Sequence, residues 1–547
     1  MSNVTTALFG DSSDAIDESA IDVVARARSH ELFFAVVGPV GAGGSRVIES
    51  LKRVCEATEY KCEVIKASDL IRQWAQQQKP PRPVKSGKSL DTVEMLQDLG
   101  DDIRKKDASA VARQAMRDIA QRRAKAQNQQ YIRGEAVKPD DAKRVYLIDS
   151  IRHPAEVNVL RRTYGTSFAL IAVVCEENER KKRILGKYFT IPEGLVAANV
   201  ERVEAFVKRD ADDIDKKHGQ HVTEAFFEAD FFIDNTAHDS EDSRKLLDEK
   251  CSRLVDIISH SKVVRPTIEE TAMHHAHSAR VRSACMSRQV GAALMDADGT
   301  IIATGANEVP AAGGGVYGEA GGALNRLHDD RCVFRADKYC SSNREQNRII
   351  EELISEVPEL AAIKDRVGLA SRLRRTSVGG LLEFSRAVHA EMDALLSAGR
   401  EGVSTIGTRL FVTTFPCHYC ARHIVSSGVY EVQYIEPYPK SLALKLHSDA
   451  IEADESNWMP PSRQTMQDER MELKGLPNKN GAAAEPGKVL FHPFVGVAPR
   501  LYLRAFEKTW RLKDKATGDF MMQPPEWGDE WSSLTIGYPE LEAALTK

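Results

Sequence analysis

The chain lacks most features that would place it in a special class. No run of about 18 apolar residues occurs, so no segment reads as a membrane-spanning helix. Its start, MSNVTTALFGDSSDAIDESAID, is acidic and lacks the positive region and apolar core of a secretory signal. A cytoplasmic location is therefore expected. No charge sign dominates: 75 Lys and Arg face 80 Asp and Glu, for a formal net charge of −5. That balance counts against a protein coating duplex nucleic acid, although a local basic cleft survives such averaging. Cysteine is sparse and odd in number, with nine in 547 residues, which excludes a disulfide-built scaffold. No internal repeat is visible, and collagen-like, coiled-coil and wholly disordered classes do not fit. What remains is an ordinary globular composition, 42% hydrophobic and 28% charged. At roughly 150 residues per domain, the length predicts three to four domain equivalents or two large domains.

Residues 1–28 read as a polar, flexible start. Leu32–Val37 is a continuous apolar run, as expected of a strand buried on both faces. A Gly-rich turn (38–44) and a helix (45–57) follow. Further buried-type strands are predicted at 62–66, 145–148, 168–175 and 231–233, with a helix at 243–259. Strands separated by helices predict a parallel, doubly wound sheet over 29–261. Arg104, Lys105, Lys106, Arg113, Arg117, Arg122 and Arg123 make one stretch basic; it reads as a solvated helix face. A second domain is expected over 262–547. It opens with a helix at 267–288 and a hairpin (290–295, 300–304) turning at Asp298-Gly299. Alternating helices and strands follow at 388–398, 408–413, 418–427 and 430–435, and a strand at 489–494. Insertions are expected near 311–380 and 454–488.

The sharpest chemical signal is His389-Ala390-Glu391 followed by Pro416-Cys417-His418-Tyr419-Cys420. One imidazole and two thiolates suit zinc, and three protein ligands leave a fourth tetrahedral position for water, as in catalytic sites. Two cysteines three apart at a helix start direct both sulfurs to one point, where the helix dipole favours thiolates. Glu391 is too close to His389 to be a fourth ligand. It is better placed as a proton carrier. This H-x-E with P-C-x-x-C pattern is the signature of zinc-dependent nucleobase deaminases.

Other segments resemble the deoxycytidylate deaminase family. Ser287-Arg288-Gln289-Val290-Gly291-Ala292 resembles its RRQVGA segment. Thr304-Gly305-Ala306-Asn307-Glu308-Val309-Pro310 resembles its TGYNGxP segment, with Ala306 and Glu308 departing, and Tyr434 falls in its V-x-Y strand. The match covers about 262–450. It implies a cytidine-deaminase-like three-layer α/β/α domain and Asn307 beside the nucleotide sugar. It also implies assembly into a homo-oligomer, often a hexamer. The whole chain resembles a narrower group, bacterial anti-phage dCTP deaminases, which join a P-loop kinase-like domain to this one; the tail Phe491–Arg500 is similar too. That resemblance implies conversion of dCTP and dCMP to dUTP and dUMP as antiviral defence. It also implies a possible restraining partner such as a small RNA. Arg288 and Arg500 are candidate cations for the phosphates.

Gly38-Pro39-Val40-Gly41-Ala42-Gly43-Gly44-Ser45 matches the P-loop pattern G-x-x-x-x-G-K-[ST] except that Gly44 stands for the Lys. Its backbone N–H groups can still cradle phosphates. Ser45 and Asp149 are candidate Mg²⁺ contacts. The segments VYLIDSIRHPAE and FFIDN resemble nucleoside monophosphate kinase-like proteins, so a purine nucleotide with Mg²⁺ is the candidate ligand and phosphotransfer is expected to be weak or absent. His328, Cys332 and Cys340 cluster in the insertion. The resemblance to deoxycytidylate deaminases implies a second, structural zinc partly through Cys285, with these three as further candidates. His274, His275 and His277 are expected to pack. Two other readings stay open: a deaminase of bases in single-stranded DNA or RNA, and a nucleotide-binding regulator with structural zinc.

Overall fold

A computed structural model describes residues 29–546 apart from 86, 88, 212–218, 238, 260–261, 319–328, 382, 439–440, 456–457, 460, 462–486, 508–512 and 520–537. His328 and most of the expected 454–488 insertion lie outside the described residues. The chain forms two compact units, residues 1–266 with 495–547, and residues 267–494. Among the described residues, no helix is long and apolar enough to cross a membrane.

The first unit is built on a six-stranded sheet in the order β12-β5-β4-β1-β3-β2. Its strands are β1 (Glu31–Val37), β2 (Lys61–Lys66), β3 (Arg144–Ile151), β4 (Phe168–Val174), β5 (Phe231–Asp234) and β12 (Gly496–Val497). All neighbours pair in parallel except β12, which runs antiparallel to β5. Every residue of β1 and β4 is buried, which is why these strands read as unbroken apolar runs rather than alternating ones.

The division falls at 266/267 where 261/262 was expected, and a second difference is larger. Residues 495–547 return to the first unit instead of staying with the second. Apolar burial accounts for this. Val497, Leu501, Ala505 and Phe506 belong to the same core as β1 and β5. The final helix, Tyr538–Leu545, places Glu542 against Arg123 at 2.6 Å. Arg123 also binds Glu31 at 2.8 Å, with both side chains fully buried. The basic stretch is therefore not one solvated face. Arg104 is buried against Glu156 at 2.8 Å, while Arg122 stays half-exposed on Asp118 and Glu63. A fully buried Arg needs such partners, because an unpaired charge in the core costs several kcal/mol, on the order of 3–5.

The second unit holds a mixed sheet in the order β10-β11-β9-β8-β6-β7. Its strands are β6 (Gly291–Met295), β7 (Ile301–Ala306), β8 (Arg409–Thr414), β9 (Glu431–Glu436), β10 (Ile451–Glu452) and β11 (Val489–Pro493). β6 pairs antiparallel with β7 and β8; β8, β9, β11 and β10 run parallel. The hairpin turns at Gly299, whose φ is +90°, and Asp296 N–H donates to the Thr300 carbonyl across the turn. The opening helix covers Ile268–Arg280, shorter than the expected 267–288. Tertiary hydrogen bonds compete with helix there. Ser283 Oγ donates to the Asn307 carbonyl at 2.6 Å, and Gln289 Nε2 donates to the Ser283 carbonyl at 2.6 Å. They hold residues 281–290 as a loop. The insertion contributes the helices Ser341–Glu356 and Arg366–Arg374, which pack Ile350, Ile354 and Leu369 together.

Candidate metal centre

The donors of the second unit stand at two helix starts. His389 is the N-cap of the helix Ala390–Arg400. Cys417 is the N-cap of the helix His418–Ser426 that follows β8, and Cys420 lies in its first turn. Close packing fixes the first of these helices, and the helix Ile268–Arg280, on the sheet. A Cβ at Gly305 in β7 would meet the Ala390 carbonyl at 2.1 Å, and one at Gly291 in β6 would meet the Ala276 carbonyl at 2.0 Å. Only glycine lets the strands approach the helices so closely. Asp393, one turn along the first helix, accepts the Ala306 N–H at 3.0 Å. The helix carrying His389 and Glu391 is thus pinned to the end of β7.

His389 Nδ1 lies 3.4 Å from Cys417 Sγ and 3.2 Å from Cys420 Sγ. The three donor atoms fall within 4.8 Å of one another, and among the described residues this is the group that could hold a metal ion. The three groups share protons. The hydrogen bond with Cys420 holds the Cys417 thiol down to about 4 against its burial, with His389 adding to the effect. The same contact with Cys417 pushes His389 up to about 9, and the Cys420 thiol is raised by donating to Cys417 and by burial. A cation with two sulfurs and one imidazole around it takes the place of those protons, and this donor set suits zinc. Glu391 is 4% exposed, and burial pushes its carboxyl up to about 7. A carboxyl poised there can both take and return a proton near neutral pH.

His389, Glu391 and Cys417 line a cavity of about 750 Å³, with Asn307 and Arg288. Small-molecule sites span roughly 300–1,000 Å³. Asn307 uses its side chain on the protein: Oδ1 accepts the Val290 N–H at 2.6 Å and Nδ2 donates to the Arg288 carbonyl at 2.7 Å. It thereby shapes the loop that presents Arg288. Arg288 pairs with Glu436 at 3.5 Å and remains half-exposed. Arg500 is not among the lining residues. It lies in the first unit and pairs with Glu228 at 2.6 Å. Cys285, Cys332 and Cys340 line the same cavity but do not converge as the triad does.

The model of the cytidine and deoxycytidylate deaminase zinc-binding region matches residues 266–436. The deoxycytidylate deaminase of Enterobacteria phage T4 is 32% identical over 173 residues, covering 31% of this chain and 79% of that protein. This chain belongs to the deoxycytidylate deaminase family. ComE operon protein 2 of Bacillus subtilis is 41% identical over a shorter stretch of 54 residues, 10% of this chain and 29% of that one. Among solved structures, a cyanophage S-TIM5 dCMP deaminase in complex with dCMP and dUMP is similar at 20% identity. The likeness covers 34% of this chain and 93% of that one, with a TM-score of 0.21.

Several lining residues of this deoxycytidylate deaminase family member carry no sequence signal. Lys338 and Arg386 come from the insertion and from the segment just before His389. Glu308, which departs from the family pattern, is buried. Its carboxylate accepts the Ala284 N–H at 2.6 Å and the Val309 N–H at 2.8 Å. That tie was detectable only as an unexplained acidic residue in the TGYNGxP-like segment.

The Gly-rich loop of the first unit sits between β1 and the helix Gly44–Ala57. Gly41 and Gly43 have φ of +84° and +86°, and a Cβ at Gly43 would stand 2.3 Å from Asn235 Nδ2. Ser45 Oγ donates to Asp149 Oδ2 at 3.1 Å, bringing those two residues together. The Val40 N–H donates to the buried Asp210 carboxylate at 2.7 Å, which Arg152 holds at 2.8 Å. Asn235 Nδ2 donates to the Ala42 carbonyl at 2.7 Å.

Proposed function

We propose that the second unit hydrolytically deaminates deoxycytidine nucleotides, converting dCMP to dUMP and dCTP to dUTP. The reading rests on one observation: a buried carboxyl, Glu391, lines the same nucleotide-sized cavity as two members of a convergent His-Cys-Cys triad. Zinc held by His389, Cys417 and Cys420 supplies a Lewis acid that makes water a better nucleophile at neutral pH. Glu391 takes one proton from the attacking water and passes it to the ring nitrogen, then takes the second from the new hydroxyl group and passes it to the departing amine. The water oxygen bonds to the ring carbon bearing the amino group, the C–N bond breaks, and ammonia leaves. Asn307 supports this by holding the loop beneath Arg288 in place.

The resemblance of the whole chain extends the reading. It includes depletion of dCTP as antiviral defence, a homo-oligomeric assembly, and restraint by an inhibitory small RNA or antitoxin-like partner. For the first unit it includes a purine nucleotide with Mg²⁺ at Ser45 and Asp149. The test is direct. Purified full-length protein is incubated with dCTP, dCMP, CTP and single-stranded DNA, and uracil products are identified by mass spectrometry beside Glu391→Ala. Uracil appearing in the free deoxynucleotides, and lost in Glu391→Ala, is the expected result. Uracil confined to the DNA would instead make the protein a polynucleotide deaminase.

A further inference from the structure

The cavity is charged unevenly. Two carboxylates line it, Glu308 and Glu391. Glu308 is taken up by two backbone amides, and Glu391 stands by the triad. Three cations line it as well: Arg288, Lys338 and Arg386. Arg288 is countered by Glu436. Among the described residues, neither Lys338 nor Arg386 has a carboxylate partner. Arg386 instead donates to the Asp330 carbonyl at 3.3 Å and to Cys332 Sγ at 3.6 Å. A second tie fastens the same wall: Ser341 Oγ donates to the Phe384 carbonyl at 2.9 Å. The wall is therefore bound to the segment that runs straight into His389, and a ligand seated at the triad shares its cavity with these cations. A monophosphate carries about two negative charges, and a triphosphate about two more. Charge-assisted hydrogen bonds reward the longer tail most where cations lack internal partners.

We propose that Lys338 and Arg386 read the polyphosphate tail of the nucleotide and make this cavity favour a triphosphate over a monophosphate. The proposal rests on the deaminase reading of the same site. Both residues act as specificity determinants that meet the phosphates, so their effect falls on binding rather than on the chemical step.

The experiment compares Lys338→Ala, Lys338→Arg and Arg386→Ala with the unmodified full chain, using dCTP, dCMP and deoxycytidine as substrates. For either Ala variant, kcat/KM for dCTP falls by about 10- to 100-fold, carried by KM, the size expected for a lost hydrogen bond to a charged group. Turnover of dCMP falls by less than about threefold and that of deoxycytidine does not change; Lys338→Arg, which keeps the charge, holds dCTP within about threefold. Lys338 is exposed, so its replacement leaves the fold intact and makes it the decisive variant; Arg386→Ala also loses the Asp330 carbonyl contact. An equal fall for all three substrates, or no fall for dCTP, overturns the assignment. An unmodified protein that deaminates none of them overturns the deaminase reading instead. One that deaminates dCMP, with variants indifferent to phosphate number, overturns the polyphosphate assignment alone.

Discussion

The two units carry two motifs of similar design, and the structure treats them oppositely. Each motif lies just beyond the C-terminal end of a parallel strand, where a helix begins: the Gly-rich loop after β1, and the cysteine pair after β8. This is the usual place for a ligand in an α/β sheet. At the cysteine pair, the three donors have one another as hydrogen-bond partners and share protons that a metal ion can displace. At the Gly-rich loop, the protein's own side chains engage one backbone N–H, one carbonyl and the Ser45 hydroxyl. Asp210 takes the Val40 N–H, Asn235 takes the Ala42 carbonyl, and Ser45 is engaged with Asp149. A phosphate arriving there competes with an internal carboxylate and meets Gly44 where a cation usually stands. A motif with an intact signature can thus be a ready site, while one with a single replacement can be held closed by its neighbours.

The comparison is broken most forcefully at Glu391. Glu391→Ala is expected to lower kcat by about 100- to 10,000-fold, with zinc content by elemental analysis unchanged. Persistent turnover would place the proton carrier elsewhere. Next in size is metal removal. Chelation, or Cys417→Ser, abolishes turnover and lowers the Tm of the second unit by roughly 5–10 °C, as expected when a ligand that binds only the folded state is lost. Calorimetry reads this, and an unchanged Tm would separate the triad from folding. Gly305→Ala drives a methyl group into the Ala390 carbonyl, costs about 1–3 kcal/mol, and lowers kcat as the Glu391 helix shifts. A variant of full stability and rate would show that the strand–helix approach is adjustable.

The first unit supplies the opposite test. Asp210→Ala releases both the Val40 N–H and the Arg152 guanidinium. Titration calorimetry with ATP and Mg²⁺ is expected to show tighter binding by about tenfold, with dCMP deamination unchanged. Weaker binding in the variant would mean that Asp210 helps hold the ligand. The smallest effect concerns pH. Burial alone would raise the Glu431 carboxyl, but hydrogen bonds from His492, Arg409 and Gln433 hold it down to about 2. Its folded-state pKa lies below the unfolded value, so its stabilisation is complete above the ordinary carboxylate range. It is lost as pH falls from about 4 toward 2. Across that window the Tm falls more steeply than in Glu431→Gln, by a few degrees.

Legibility in the sequence followed the range of the interactions. His389, Glu391, Cys417 and Cys420 were readable because their spacing within two short helix starts already brings each half of the site together. β1 and β4 were readable because burial on both faces writes an uninterrupted apolar run. Lys338 and Arg386 were not, since their place in the cavity depends on how an insertion folds back against residues 384–387. Arg123 was misread as a surface residue for the same reason. Its partners Glu31 and Glu542 lie near opposite ends of the chain, and local pattern carries no trace of such a contact. Arg500 looked like a phosphate ligand by its place in a resembling tail, yet that tail leaves the second unit after Phe494 and Arg500 belongs to the first.

The places of the main strands along the chain and the candidate metal donors follow from local chemistry: hydrophobic period, helix starts and ligand type. Three things were settled only in three dimensions. They are the return of residues 495–547 to the first unit, the filling of the Gly-rich loop by Asp210, and the cationic wall beside the metal donors. Each turns on pairing groups far apart in sequence. The energy of such a pair depends on which buried charges and polar groups find partners, and that is decided when the chain has closed on itself.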